Sequence, residues 1–478
     1  LSLLSMAGYA DTISTGNRKG SAAVTVGPGG VFEVRDYFNW INDDQNNLAS
    51  LRLDGGRLIL PVTARAVGSI GTASVVLNGG VFDCAGLPTL TTVNAQIAPS
   101  LDDYLFGVDE LFLGADGITI DTRLHNVTIT QPLVMESGST VAAGFTKTGT
   151  GILTLAGDHA FNAPITVQVG TLALTSLPNN AVQVVSGATL NPSFNSVRTD
   201  AVTTATFGDN AVLAVDLAEA NSSDRLAVAG TLALGSRLTI WVNGDTLPGT
   251  FTLFTYGTLT GSANALRIGN PDGDFTYQFT DTGSAITLTV AANPNSVAWA
   301  NDADGVWSAN ANWTPQTVPN GVGHSARFDL SFAQPRTVTL DLPVTLSALL
   351  FDAPIAPQVT GTASLSLNHS AMPSSIEVAS GHPTLAVPVA VPAETTAWIA
   401  PDTSLTLAKN LSGTGALSVQ GGGALMLMAT NTIASTRVAD AMLQLGPDAS
   451  LEAPLTLDNA TLTTSADHTS AAAITSGT

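Results

Sequence analysis

The feature that most constrains this 478-residue chain is a short phrase that keeps returning. Gly170 to Leu174 reads Gly-Thr-Leu-Ala-Leu, and Gly230 to Leu234 repeats it unchanged. Gly149 to Leu155 (GTGILTL) is echoed by Gly413 to Val419 (GTGALSV), and Gly71 to Leu77 (GTASVVL) by Gly361 to Leu367 (GTASLSL). Each phrase is a turn residue followed by a run in which Leu or Val alternates with a small or polar residue, the period of a strand with one apolar face. Such a strand cannot bury that face alone. Stacked about 4.8 Å from its counterpart in the next coil, it does so, and its backbone donors and acceptors find partners in the same step. The expected fold is therefore all-β: a right-handed parallel β-helix, or β-solenoid, with coils of roughly 20–30 residues. A β-sandwich of similar short strands is the competing architecture.

Composition agrees. Charged residues are 11% of the chain, where an average domain has roughly 25%. Thr and Val suit a pleated surface, while 45 Gly supply the turns between strands. Pro164, Pro343, Pro388 and Pro454 stand where strands are expected to start, a place where a missing N–H does little harm. The best helical signal, Ala214 to Ala220 (AVDLAEA), is short and uncapped.

Sixteen Lys and Arg against 37 Asp and Glu give a net charge of −21. That field repels phosphate backbones and no basic stripe offsets it, so nucleic acid is not an expected partner. No run reaches the ~18–20 apolar residues of a membrane span. Cys84, the single cysteine, follows Val81-Phe82 and is read as a small buried hydrophobe. Leu1 to Ala10 (LSLLSMAGYA) reads as the tail of a secretion signal, and the chain is expected to be a piece of a longer polypeptide.

Phe145 to Leu174 (FTKTGTGILTLAGDHAFNAPITVQVGTLAL) resembles the autotransporter-associated β-strand repeat of bacterial surface proteins. Lys147, Thr148, Gly149, Gly151, Leu153, Leu155 and Gly157 match its opening, and Gly170, Thr171 and Leu172 its close; Asp158 to Ala163 departs from it. A weaker copy runs from Leu411 to Leu445. Asp224 to Gly261 is similar to the segment that closes such arrays. Val297 to Leu340, with Trp299, Trp307, Trp313 and Phe328, is similar to the opening of a fresh one. The resemblance implies two consecutive arrays with a capping β segment between them. The first covers 1–292, with 224–292 as its closing segment; 293–296 is a linker; the second covers 297–478 and opens with a Trp-rich cap at 297–340. It also implies export to the bacterial cell surface.

Chemistry is sparse. The densest acidic stretch holds Asp102, Asp103, Asp109 and Glu110 and is expected to be a solvated loop. The six histidines are dispersed without metal-ligand spacing, which speaks against zinc. Asn301 to Gly305 and Asn270 to Asp274 place oxygens at alternate positions around a turn, which makes Asp302, Asp304, Asp272 and Asp274 candidate calcium ligands. Trp307 and Trp313 are expected to cap the first coil of the second array; stacking on sugar rings is their alternative role. The expected function is non-enzymatic and extracellular: a structural or adhesive solenoid without a resident cofactor, partnered by copies of itself or by other surface and matrix components. Glycan binding or processing is the alternative.

Overall fold

The computed structural model describes residues 12–15, 22–34, 37–40, 48–66, 71–85, 97–99, 103–194, 196–219, 221–370, 372–458, 460–464 and 474–476. The chain is all-β and is built mainly from long parallel sheets in which most strands pair with one a coil away. It divides into two compact units. One comprises Leu1–Leu266 with Phe279–Leu288, the other Arg267–Gln278 with Thr289–Thr478.

In the first unit, the register lines up inward rows of apolar side chains. Leu51, Val75, Leu111 and Leu133 form one row. Val127, Leu153, Leu172, Leu190, Leu213 and Ile240 form another, on a different sheet. All these side chains are at most 2% exposed. A third row reads Phe82, Ile120, Lys147, Val167, Val184, Phe207 and Leu234, so one ammonium sits inside an apolar ladder. Lys147 is tolerated there because its Nζ donates to the carbonyls of Thr148 and Gly149, both at 2.7 Å, and of Val169 at 3.2 Å. Burial pushes its pKa down to about 8. The residue that heads the repeat resemblance thus closes the corner at which the chain leaves the sheet.

The second unit cycles through three sheets in turn. One carries the row Ala326, Leu349, Ile376, Ala397, Val419, Val438 and Leu457, whose successive members lie 19 to 27 residues apart. The second carries Val338, Val359, Leu385, Leu407, Leu427 and Leu445. The third carries Val344, Leu365, Val389, Leu411, Asn431 and Leu451. Asn431 is the polar member; it is 2% exposed and its amide donates to the carbonyls of Ala429 and Ser450.

The corners explain the glycines. A Cβ on Gly151 would lie 2.0 Å from the carbonyl oxygen of His125, and one on Gly415 would lie 1.9 Å from that of Ala393. The second glycine of Gly-Thr-Gly is therefore required by the coil stacked against it. Each of the four prolines directly precedes a strand: Ile165–Val167, Val344–Leu346, Val389–Ala390 and Leu455–Asp458. Within the AVDLAEA segment, Ala214 to Glu219 is not helical; Ala211–Ala218 is a strand.

Candidate functional site

The tryptophans settle first. The strand Trp313–Thr314 ends its sheet, pairing antiparallel with Ser296–Trp299. Trp299, Trp307 and Trp313 are 1%, 1% and 0% exposed, packed on one another and on Phe328. Every indole N–H is taken: Trp299 donates to Asn301 O, Trp307 to Pro319 O and Trp313 to Trp307 O. The sugar-stacking role considered for Trp307 and Trp313 is corrected, because neither ring has a free face. They cover the core at the first coil of the unit.

The four candidate calcium ligands are engaged by the chain's own donors. Asp302 Oδ1 pairs with Arg336 Nε at 2.7 Å, and its Oδ2 accepts from Ala333 N. Asp304 accepts from Thr337 N at 2.8 Å. Asp272 accepts from Asp274 N, while Asp274 accepts from Ser296 Oγ and pairs with Arg327. The two motifs fasten turns to neighbouring segments. Among the described residues, no three His, Cys, Asp or Glu stand close enough to hold a metal ion.

The remaining expectations fare differently from one another. Asn293, placed in the linker, donates its amide to Gly273 O, Gly323 O and Ser325 Oγ and is a fastener. Asp102 and Leu1 to Ala10 lie outside the described residues. Asp103 is buried and accepts from Thr130 and Gln131, and Asp109 accepts from Ala73 N, so this stretch is tied to its neighbours. Cys84 is fully buried, which holds its thiol far above the ordinary pKa and leaves it inert.

The first unit also carries a polar cleft of about 330 Å³, which the sequence reading missed. Arg198, Arg225, Asn221, Ser222, Ser223 and Thr252 border it. Three local features build it. Asn221, in the left-handed region at φ 62°, turns the chain after the strand Ala211–Ala218, and Ser222–Ser223 folds back antiparallel on that strand. Thr199 then pairs with Arg225 across parallel strands, which sets the two arginines side by side.

Two acids lie beneath. Asp224, 1% exposed, accepts from the backbone N–H groups of Asp216 at 2.9 Å and Arg198 at 3.1 Å. Burial pushes its pKa up to about 7 despite those bonds. Asp200, 2% exposed, accepts from Leu177 N and Ser193 Oγ, and pairs with Arg198 Nε at 3.1 Å. Its pKa is also raised by burial. Arg198 is thus balanced. Arg225 is not: its Nε is buried without a hydrogen-bond partner among the described residues.

Aromatic exposure lies elsewhere. Trp398, 37% exposed, stands outward between Glu377 and Gln420 on the second unit. Alternation in Thr395 to Ile399, with Ala397 and Ile399 buried, is the signal that would have found it.

No family model matches this chain, and no curated protein matches it.

Proposed function

We propose that this chain is a non-enzymatic structural or adhesive β-solenoid of the bacterial cell surface, exported from the cell and able to associate with copies of itself or with other surface components. The observation that carries the reading is the stacking of coils in the second unit, where three rows, apolar but for Asn431, run in register from the tryptophan cap onward. Fold of this kind invests sequence in a repeated lateral surface. Two of the perturbed acids support the non-enzymatic part: Asp200 and Asp224 are buried and occupied by backbone and serine donors, a fastening role. The resemblance to autotransporter-associated repeats supports export, since Lys147, Gly149 and Gly151, which carry it, are the residues that make the coil corner.

Immunogold labelling of unpermeabilised cells with antibody to the purified chain tests the location. Surface label that is removed by external protease is expected. Label confined to permeabilised cells would refute it. Glycan binding is kept as a second reading because the cleft at Arg225 is polar and concave.

A further inference from the structure

We propose that the cleft at Arg198 and Arg225 is a binding site for an acidic sugar, a single carboxylate carried on a hydroxylated ring, with Arg225 as the carboxylate-recognising residue. This goes beyond the structural role and does not depend on it.

The first support is an unmet donor. Buried polar groups in folded proteins are nearly always hydrogen-bonded, and an exception calls for a reason such as a missing partner. Arg225 Nε is such an exception; it is itself shielded from solvent, and no carboxylate among the described residues pairs with the guanidinium it belongs to. The neighbouring guanidinium of Arg198 is committed, to Asp200 and to the carbonyl of Thr175 at 3.0 Å. Asp224, the next acid, spends its oxygens on the N–H groups of Asp216 and Arg198. Because it holds much of its proton at neutral pH, it does little to cancel Arg225. A guanidinium presents parallel N–H groups in a plane, the geometry that a carboxylate meets with two bonds.

The second support is what surrounds that charge. Thr199, Ser222 and Ser223 bring hydroxyls to the same space, and Asn221 brings an amide. Ser223 Oγ donates to Thr252 O and so keeps lone pairs for an incoming hydroxyl. Such a wall suits a ring bearing several hydroxyls. The size agrees: about 330 Å³ lies at the small end of the ~300–1,000 Å³ range of small-molecule sites.

The third is the field of the whole molecule. At a net charge of −21, a long polyanion meets repulsion along its length. One carboxylate at one unbalanced guanidinium meets it least, so a single acidic residue or the acidic end of a glycan is the fitting ligand.

Isothermal titration of the full chain with sodium glucuronate tests this, with glucose and sodium sulfate as comparison ligands. Binding with a dissociation constant of about 1 mM is expected for glucuronate, with at least tenfold weaker binding of glucose and of sulfate. Arg225→Gln should weaken glucuronate binding at least tenfold, and Arg225→Lys should recover part of it. Circular dichroism establishes that each variant is folded. Should Arg225→Gln fail to fold, Ser222→Trp, at an exposed position, fills the cleft and should abolish the heat. No heat at about 20 mM glucuronate would overturn the proposal, as would binding indifferent to both Arg225→Gln and Ser222→Trp. Sulfate bound as tightly as glucuronate would overturn the sugar assignment.

Discussion

Replacing Trp313 by Ala removes the centre of the cap on the second unit. Its ring is 0% exposed and lies 5.1 Å from Trp299, 4.7 Å from Trp307 and 5.9 Å from Phe328, centroid to centroid. Truncating a buried Trp to Ala costs about 3–5 kcal/mol through lost transfer energy and the cavity left behind. The carbonyl of Trp307 also loses the indole N–H that satisfies it at 2.8 Å. Trp313→Ala is therefore expected to destabilise the second unit by about 4 kcal/mol. Trp313→Phe, which keeps most of the packing and loses the hydrogen bond, should cost about 1–2 kcal/mol. Trp398→Ala is the internal control: at 37% exposure it should cost less than about 1 kcal/mol. Guanidinium denaturation followed by tryptophan fluorescence reads all three. A Trp313→Ala chain whose midpoint moves no more than that of Trp398→Ala would refute the capping role and reopen the question of what the tryptophans do.

Three further outcomes follow from the geometry. Gly415→Ala drives a methyl group into the Ala393 carbonyl and should cost about 1–3 kcal/mol, whereas Gly144→Ala, whose nearest neighbour would be 3.7 Å away, should be near neutral in the same denaturation assay. Asp224 keeps its proton to about pH 7 in the folded chain and loses it near 3.8 when unfolded, so its own contribution to stability is greatest below 3.8 and is lost as pH rises towards 7. Between pH 5.5 and 8 this group should cost about 2 kcal/mol; Asp224→Asn should flatten that part of the thermal-melting profile, and an unchanged slope would contradict the assignment. Calcium titrated to about 1 mM should give no heat attributable to Asp302 or Asp304, since Arg336 and backbone N–H groups already engage them; heat abolished by Asp302→Asn would restore calcium to that turn.

Much of the fold was legible because a solenoid repeats one local rule. Alternation in Thr171-Leu172-Ala173-Leu174 puts both leucines inward, and the register confirms it by stacking Leu172 between Leu153 and Leu190. The position of a phrase within a coil was not legible. The identical Gly-Thr-Leu-Ala-Leu phrases fall in different sheets: Leu172 stacks on Leu153, whereas Leu232 stacks on Ala205. Both sites need a turn and then one apolar face, and the phrase encodes no more than that. Lys147 shows the opposite limit. A lysine within a strand reads as outward-facing, yet it occupies an inward row, because three carbonyls at the corner supply what water would have.

The site was less legible for a reason that follows from the same architecture. On a solenoid, lateral neighbours are set by coil length, and coil length varies from 18 residues between Leu427 and Leu445 to 27 between Leu349 and Ile376 in the second unit alone. Fixed spacing between chemical groups, the signature by which helical or loop motifs are recognised, therefore has no counterpart here. Arg198 and Arg225 become neighbours only through the pairing of Thr199 with Arg225, and Asp224 enters beneath them only because Asn221 turns the chain back. One signal was available without the register. In Thr199 to Val202 the alternation assigns Asp200 to the same face as Val202, and a carboxylate on the core face demands a partner. An acid on the apolar phase of a strand marks, in a fold of this kind, where the coil has been built for something other than stacking; here it leads from Asp200 to Arg198 and so to the cleft.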